Sequence, residues 1–210
     1  MLNAKALTEL LSHHRDDRLC KRWYLMTPNG TLLAYSQPTD INDLRRQAAI
    51  AAITWQEHQH PAPDGHLADS FQGEIREDGE PQQPLHVLSV ESEASNVLLR
   101  QIQPQLLLVL EGGVPPRRAG FGRRVTAESA DGTQQQWPHH QGDNASLRSN
   151  ATATATATNG GGGGGSSSAV AASVLKLHRG RLDALADAII SDFQQTGFQM
   201  PAEGSTTMTF

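Results

Sequence analysis

The chain has 210 residues, a formal net charge of −5 and a mean hydropathy of −0.46, and only 37% of its residues are apolar. A globular domain is typically about 45–50% apolar, so part of the chain is not expected to pack into a core. Eleven of the 19 glycines fall within residues 113–172, where hydrophobic patterning is sparse. The composition predicts one globular domain, residues 1–112 plus 173–200, with a disordered insert at 113–172 and a flexible tail at 201–210.

Charge and cysteine content exclude several classes of function. The acidic balance outside the insert argues against nucleic-acid binding, which requires a basic face. The single cysteine, Cys20, excludes a disulfide framework and a cysteine-based zinc site. The sequence contains no secretory signal, no lipidation motif and no apolar run near the roughly 20 residues that cross a bilayer. It therefore predicts a soluble intracellular protein with no nucleic-acid partner and no direct membrane insertion.

Local signals in the first third of the chain predict a helix, a hairpin and a second helix. Asn3 is positioned to cap the first helix. Asn29-Gly30 separates two strand-like runs, and both residues tolerate positive φ, so these runs are expected to form a β-hairpin. Asp40 is expected to cap a second helix that ends near residue 58.

The rest of the chain predicts three more strands and a final helix. The strands are expected at residues 85–90, 96–102 and 105–110, and the last is the continuous apolar run typical of a central strand. A polar loop at 59–84 precedes them, and an amphipathic pattern predicts a helix at 174–194. The order α-β-β-α-β-β-β-α indicates an α+β fold with a five-stranded antiparallel sheet and a long disordered insert before the last helix. Deletion of residues 115–168 is then expected to preserve folding.

The second helix is more apolar than a helix lying on a sheet requires. Ala48 and Trp55 share the stripe expected to face the sheet. Ala49, Ile50 and Ile53 lie on a further side, which needs a second partner. That partner is either another element of the same chain or another subunit, and we favour a subunit interface.

Catalytic and metal-binding patterns are weak. The histidine clusters at His13-His14, at residues 58–66 and at His139-His140 lack the spacing of a zinc motif, so solvated histidines are the preferred interpretation. Paired carboxylates such as Asp16-Asp17 fall in expected turns, and no nucleophile elbow or phosphate-binding glycine loop occurs. We therefore predict no catalytic residue, no cofactor and no metal, with a histidine-based metalloenzyme as an alternative.

Three segments of the N-terminal third resemble the roadblock/dynein light chain family, and most closely the roadblock subunit of the Ragulator complex. The residues that carry the resemblance are Met1-Leu2-x-x-Lys5-Ala6-Leu7-Thr8-x-Leu10-Leu11-Ser12, Leu32-Leu33-Ala34-Tyr35-Ser36 and Arg46-x-Ala48-Ala49-Ile50-Ala51-x-Ile53-x-Trp55. The resemblance is close over residues 1–58 and looser over 85–111 and 174–194. The loop at 59–84 and the insert depart from the compact family pattern.

The resemblance implies a non-catalytic scaffold of a Ragulator-type complex. Such a subunit is expected to pair with a second roadblock protein, to dock Rag-type GTPases and to join further subunits, among them a lipidated membrane anchor. The implied location is the cytoplasmic face of the late endosome, lysosome or vacuole, in TORC1 amino-acid signalling and MAPK scaffolding. A small-GTPase regulator or a dynein-associated light chain of the same fold is the alternative.

The resemblance also implies which residues meet the second roadblock protein. The pairing surface is expected on the second helix and on a neighbouring edge strand, at Ala48, Ala49, Ile50, Ile53, Trp55, Leu85, Val87, Leu88 and Val90. For Trp55 alone, packing in the core beneath the helix is an equally good interpretation.

Overall fold

The computed structural model describes residues 2–59, 84–114, 121–138 and 165–201, which form three helices and seven strands. In chain order these are α1 (Ala4–His13), β1 (Cys20–Met26), β2 (Leu32–Tyr35), α2 (Ile41–Gln59), β3 (Leu85–Glu91), β4 (Ser95–Gln103), β5 (Leu106–Gly113), β6 (Arg124–Ser129), β7 (Gln134–Pro138) and α3 (Gly165–Thr196). The strands form one antiparallel sheet in the order β2-β1-β5-β4-β3-β6-β7. The predicted α+β class is confirmed, but the sheet has seven strands instead of five.

The caps of α1 and α2 and the turn between β1 and β2 form at the residues predicted from the sequence. Asn3 caps α1 by accepting a hydrogen bond from the backbone N–H of Ala6 at 3.1 Å. Gly30 takes a φ of 87° in the turn between β1 and β2. Asp40 accepts a hydrogen bond from the backbone N–H of Asn42 at 2.9 Å, at the start of α2. The predicted caps and hairpin are therefore confirmed.

The sheet separates two hydrophobic cores. Successive side chains of a strand point to opposite faces, so a strand with apolar residues at every position needs cover on both sides. In β5, Leu108 and Leu110 pack in the core with α1 and α3, whereas Leu107 and Val109 pack in the core with α2. The domain therefore has three layers, and β5 lies between β1 and β4 as the central strand expected from its sequence.

The final helix begins earlier than expected and forms ion pairs with two strands. It starts at Gly165 instead of residue 174. Arg100 of β4 contacts Asp183 and Asp187 at 2.8 and 2.6 Å. Arg179 makes a two-pronged contact with Glu128 of β6, at 2.8 and 3.0 Å. These ion pairs fix the position of α3 along the sheet.

Part of the predicted insert is folded, so the expectation of disorder throughout 113–172 is wrong. The β6–β7 hairpin occupies residues 124–138, and β6 pairs with β3. Gly132 at its turn has a φ of 85°, and the Asp131 carboxylate accepts a hydrogen bond from the Thr133 N–H at 2.9 Å. Asp131-Gly132 is a typical β-hairpin turn sequence. It lies within a segment whose low-complexity repeats led to the expectation of disorder. The alanine-threonine repeat at 151–158 lies outside the described residues.

Because β6 and β7 lie within residues 115–168, deletion of this segment is no longer expected to leave folding unchanged. Their deletion removes the buried side chains of Val125 and Ala127 and uncovers Leu85 and Leu88 of β3. We expect a deletion variant to unfold at a clearly lower urea concentration, because apolar burial and a strand pairing are both lost. A Val125→Ala variant keeps the hairpin and is expected to lose only about 2 kcal/mol. An unchanged urea midpoint for the deletion variant would contradict the structural role of β6.

Helix α3 lies very close to the sheet at Gly112. A Cβ atom at this position would lie 2.3 Å from the ring of His178, which is fully buried. The Nδ1 atom of His178 lies 3.3 Å from the side-chain nitrogen of Asn96, which is also buried. Burial lowers the pKa of His178, which keeps the ring neutral at neutral pH. Gly112 is thus required for the contact between helix and sheet.

Two alanine substitutions are expected to change stability in opposite directions. Gly112→Ala forces the His178 ring or α3 to move, with an expected loss of about 1–3 kcal/mol. Gly180 is exposed in the middle of α3, and an added Cβ there would meet no atom within 4 Å outside the helix's own nearby backbone. Gly180→Ala is therefore expected to add up to about 1 kcal/mol through helix propensity. Urea unfolding followed by circular dichroism measures both. Equal midpoints for the two variants would show that the contact at Gly112 is unimportant.

Candidate partner interface

Helix α2 presents two sides that differ sharply in exposure. On the inner side, Ala48 and Trp55 are fully buried against the sheet. On the outer side, Ala49 is exposed, and Ile50 and Ile53 are 48% and 57% exposed. The two isoleucines are three residues apart, so they are neighbours on the helix surface. The outer side is therefore a small apolar surface that the described part of the chain leaves open to solvent.

The structure divides the predicted interface residues between this surface and the core. The accessible ones are Ala49, Ile50 and Ile53, the half-buried one is Val90, and the buried ones are Ala48, Trp55, Leu85, Val87 and Leu88. Trp55 therefore occupies the core position that was the alternative to an interface role. The buried residues fix the position of α2 on the sheet, and contact of the accessible ones with a partner stays a prediction.

The expectation that residues 85–90 form an edge strand is wrong. β3 pairs with β4 on one side and with β6 on the other, so its backbone groups are already used. Val125 and Ala127 of β6 extend the core that α2 covers. The edges of the sheet are β2 and β7. A partner therefore cannot add a strand at β3 while the hairpin is in place, which leaves the outer side of α2 as the accessible part of the predicted surface.

A charge network fixes the first turn of α2 to the sheet. The Arg22 guanidinium of β1 contacts the Asp43 carboxylate at 2.6 Å and Glu111 of β5 at 3.1 Å. Arg46, one turn further along α2, contacts the same Asp43 at 2.6 Å and is largely exposed. Hydrogen bonds from Arg22 and Arg46 lower the pKa of Asp43. The network therefore holds a carboxylate in its ionised form at the start of the helix, where the helix dipole also favours it.

The second half of α2 is fixed by two further contacts. Gln56 donates a hydrogen bond to the carbonyl of Pro28, in the turn after β1, at 3.1 Å. Arg123, directly before β6, donates to the Thr54 hydroxyl at 3.3 Å. The helix is thus held at both ends, and a partner that binds its outer side has little ordering entropy to overcome.

Nothing in the described part of the chain forms a metal site, since no three histidine, cysteine or acidic side chains come together there. The His13 and His14 rings pack edge to face at the end of α1, and the Nδ1 of His58 lies 2.8 Å from the Thr54 carbonyl. The other residues of the histidine clusters, His60, His66, His139 and His140, lie outside the described residues. Among the described helices, none has the length and apolar character needed to span a membrane.

No protein-family model and no curated protein matches the chain. It is similar to the solved structure of a roadblock/LC7 domain from Streptomyces avermitilis, with 15% identity, coverage of 50% of this chain and 77% of that one, and a TM-score of 0.33. The MglB structure of Myxococcus xanthus is 14% identical over 57% and 84% of the two chains, with a TM-score of 0.36. The gliding protein MglB of Thermus thermophilus is 17% identical over 52% and 73%, with a TM-score of 0.34. Identities below 25% and TM-scores below 0.5 assign no function to this chain.

An Asp43→Asn variant tests how α2 is fixed to the sheet. At pH 7 we expect a lower thermal midpoint, because Arg22 and Arg46 lose their carboxylate partner. The folded state lowers the pKa of Asp43, so its stabilisation is present above the unfolded-state pKa of about 3.9 and is lost as the pH falls further. The difference in midpoint between wild type and variant should therefore persist down to pH ~5 and close towards pH ~3.

Asp17→Asn provides the matched control for this pH series. Its carboxylate pairs with Arg15 at the surface and is highly exposed, so the midpoint should change little at any pH. If the difference in thermal midpoint between Asp43→Asn and wild type does not vary with pH, the loss of the carboxylate charge is not the cause of the destabilisation.

Proposed function

We propose that this chain is a non-catalytic adaptor subunit of roadblock type that pairs side by side with a second roadblock-domain protein through the outer side of α2. The observation that carries the proposal is the exposure of Ile50 and Ile53 on a helix whose two ends are held by contacts with the rest of the domain. Two large apolar side chains at helical spacing gain stability when a partner removes them from water. They would form the centre of the interface, with polar residues at its rim.

The charges that flank the two isoleucines indicate how a partner helix would be oriented. Arg46 lies one turn before Ile50, and Glu57 lies one turn after Ile53. A partner helix with the same order of charges, packed antiparallel, would bring its acidic end to Arg46 and its basic end to Glu57. A parallel partner would place like charges together. The pattern therefore favours antiparallel pairing with a helix that has the same order of charges.

The wider assembly follows from the resemblance over residues 1–58. In this proposal the pair joins further Ragulator-type subunits and docks Rag-type GTPases, in support of TORC1 amino-acid signalling and MAPK scaffolding. A lipidated partner subunit holds the assembly at the cytoplasmic face of the late endosome, lysosome or vacuole. This chain would contribute the paired helix surface and no catalytic group.

A double substitution of Ile50 and Ile53 by Asp tests the pairing surface. Co-expressed with a roadblock-domain partner from the same cells, the wild-type chain should elute as a heterodimer in size-exclusion chromatography with light scattering. The variant should lose about 100-fold or more in affinity, because two buried carboxylates replace the apolar centre. Its thermal midpoint should change little, since both side chains are exposed in the single chain.

Leu177→Asp is the control for an added surface carboxylate, because it introduces an aspartate at an exposed apolar position of α3, in the layer on the other side of the sheet. It should leave the heterodimer intact. Pairing that survives the double substitution, or that Leu177→Asp abolishes equally, would place the interface elsewhere.

The GTPase part of the proposal needs its own measurement. The purified pair should bind a Rag-type GTPase, whereas the Ile50 and Ile53 variant should not, since the pair no longer forms. Hydrolysis of GTP by a small GTPase is measured in parallel, with and without the single chain. A rate that the unpaired chain changes would indicate a GTPase regulator instead of an adaptor.

A further inference from the structure

His178 is a titratable side chain buried between α3 and the sheet. Its ring lies beside Asn96 near the start of β4 and above Gly112 near the end of β5, and it is fully buried. A Cβ atom at Gly112 would lie 2.3 to 2.6 Å from three atoms of the ring, so the ring fills the space of the missing side chain. An aliphatic side chain could fill the same space without burying polar atoms. Packing alone therefore does not explain a histidine at this position.

The hydrogen-bond surroundings of the His178 ring suit its neutral form. Nδ1 lies 3.3 Å from the side-chain nitrogen of the buried Asn96, which is a donor, so Nδ1 acts as the acceptor. The proton of the neutral ring is then on Nε2, which is buried and has no hydrogen-bond partner among the described residues. A second proton, on Nδ1, would face the donor group of Asn96. Protonation therefore removes the one side-chain hydrogen bond that the ring makes.

The charged groups of α3 and of the loop before β1 do not compensate a positive ring. On α3, Arg179 is paired with Glu128 at 2.8 Å, and Arg181 lies one turn beyond His178. In the loop, Asp16 is 3.9 Å from the Arg181 guanidinium. The nearest charges on these elements are therefore positive or already paired with arginine.

The strands under the His178 ring also offer it no paired carboxylate. β4 contributes the neutral Asn96, and β1 contributes the thiol of Cys20 and the positive Lys21. Glu111 of β5 pairs with an arginine on the face that α2 covers. Glu91 of β3 is the register partner of Asn96. None of the ion pairs among the described residues involves the ring.

The packed position of α3 therefore opposes proton uptake by His178. Burial is the main cause that lowers its pKa; the Leu19 carbonyl, which already accepts the Gly113 N–H at 2.9 Å, offsets this in part, and the charge of Arg181 adds to it. When the helix leaves the sheet, the ring enters water and titrates near the ordinary histidine pKa of about 6.5. The stabilisation of the packed helix is thus complete above that pH and is lost as the pH falls below it.

We propose that His178 is a pH-sensitive contact, which holds α3 against the ends of β4 and β5 when neutral and releases the helix there when protonated. The contacts of Arg100 with Asp183 and Asp187, further along α3, are expected to persist, because aspartates remain ionised down to about pH 4. The release is therefore local. It concerns the face of the sheet opposite to α2, so it does not depend on the proposed pairing.

The chain contains a reporter for this movement. Cys20 is the single cysteine of the sequence, is fully buried and is the register partner of Gly112 on the neighbouring strand. Its sulfur lies 3.5 Å from the guanidinium of Arg181, one turn beyond His178 on α3. Detachment of the helix at His178 is therefore expected to expose the thiol to solvent.

The test measures the rate at which dithiodipyridine, a reagent that modifies thiols in acid as well as at neutral pH, reacts with Cys20 of the full chain. At each pH the rate is divided by that of the chain unfolded in urea, which removes the pH dependence of the thiol chemistry. Between pH ~7.5 and pH ~5 this relative rate should rise about tenfold, because proton uptake favours the detached helix. The fluorescence of the buried Trp23 and Trp55 should stay that of the folded chain.

Histidine variants assign the response to one ring. In His178→Gln, which takes up no proton in this range, the relative rate should change by less than about twofold. His14→Gln and His86→Gln are the matched controls, because burial also lowers the pKa of these two rings and both lie near arginines of α3. Both controls should keep the wild-type rise.

An NMR titration of the histidine ring signals tests the wild-type chain without any variant. The His178 signal should titrate clearly below the ordinary histidine pKa of about 6.5.

Four results would overturn the proposal. The first is a relative thiol rate that does not vary with pH, and the second is an equal rise in wild type and His178→Gln. The third is a pKa of His178 at or above its ordinary value. The fourth is loss of the folded tryptophan fluorescence together with thiol exposure, which would show global unfolding instead of a local release of α3.

Discussion

The requirement to bury β5 on both faces determines the architecture of this domain. A strand of five consecutive apolar residues, Leu106 to Leu110, has side chains on both sides of the sheet, and all five are fully buried. One layer of helices cannot provide that burial, so α2 covers one face and α1 and α3 cover the other. Each helix then uses one side for the core, and any apolar residue on another side is left for a partner or for solvent. Ile50 and Ile53 are such residues on α2, and Val170 and Leu177 are such residues on α3.

The pairing of β6 with β3 changes which surfaces a partner can reach. Without the hairpin, β3 would be an edge strand whose free backbone groups could pair with a strand of another chain. With the hairpin in place, six pairs of residues connect β3 to β6, and the edge moves to β7. A partner that does not add a strand at the sheet edge must therefore bind through the side chains of the helices. Helix surfaces discriminate between partners by shape and charge, whereas an open edge accepts any extended chain of suitable length.

Much of the fold follows from signals that are local in sequence. Asn3 and Asp40 cap helices because their own side chains accept the first free backbone N–H groups, and Asn29-Gly30 turns because both residues tolerate positive φ. The excess apolar character of α2 likewise distinguishes Ile50 and Ile53 as candidates for a partner surface, since helical spacing alone separates them from Ala48 and Trp55. Such features need no information about distant parts of the chain.

The features that sequence reasoning missed depend on contacts between distant residues. The Asp131-Gly132 turn is a local signal, but the strands beside it become convincing only when β3 is seen to need a neighbour. Gly112 looks like an ordinary loop glycine until His178, far along the chain, occupies the space of its missing side chain. Trp55 fits both a core and an interface by its sequence, and only the position of α2 on the sheet decides between them.

Strand β6 contributes side chains to both helix-covered faces of the sheet. Its residues alternate, so Val125 and Ala127 point into the core beneath α2, whereas Glu128 points to the other face and pairs with Arg179 of α3. The loss of β6 would therefore loosen the support of both helices together. The substitution of a single exposed residue on either helix leaves β6 and the opposite helix in place. The outer side of α2 and the exposed side of α3 are thus separate surfaces, and the positions of both helices depend on one strand of the segment between β5 and α3.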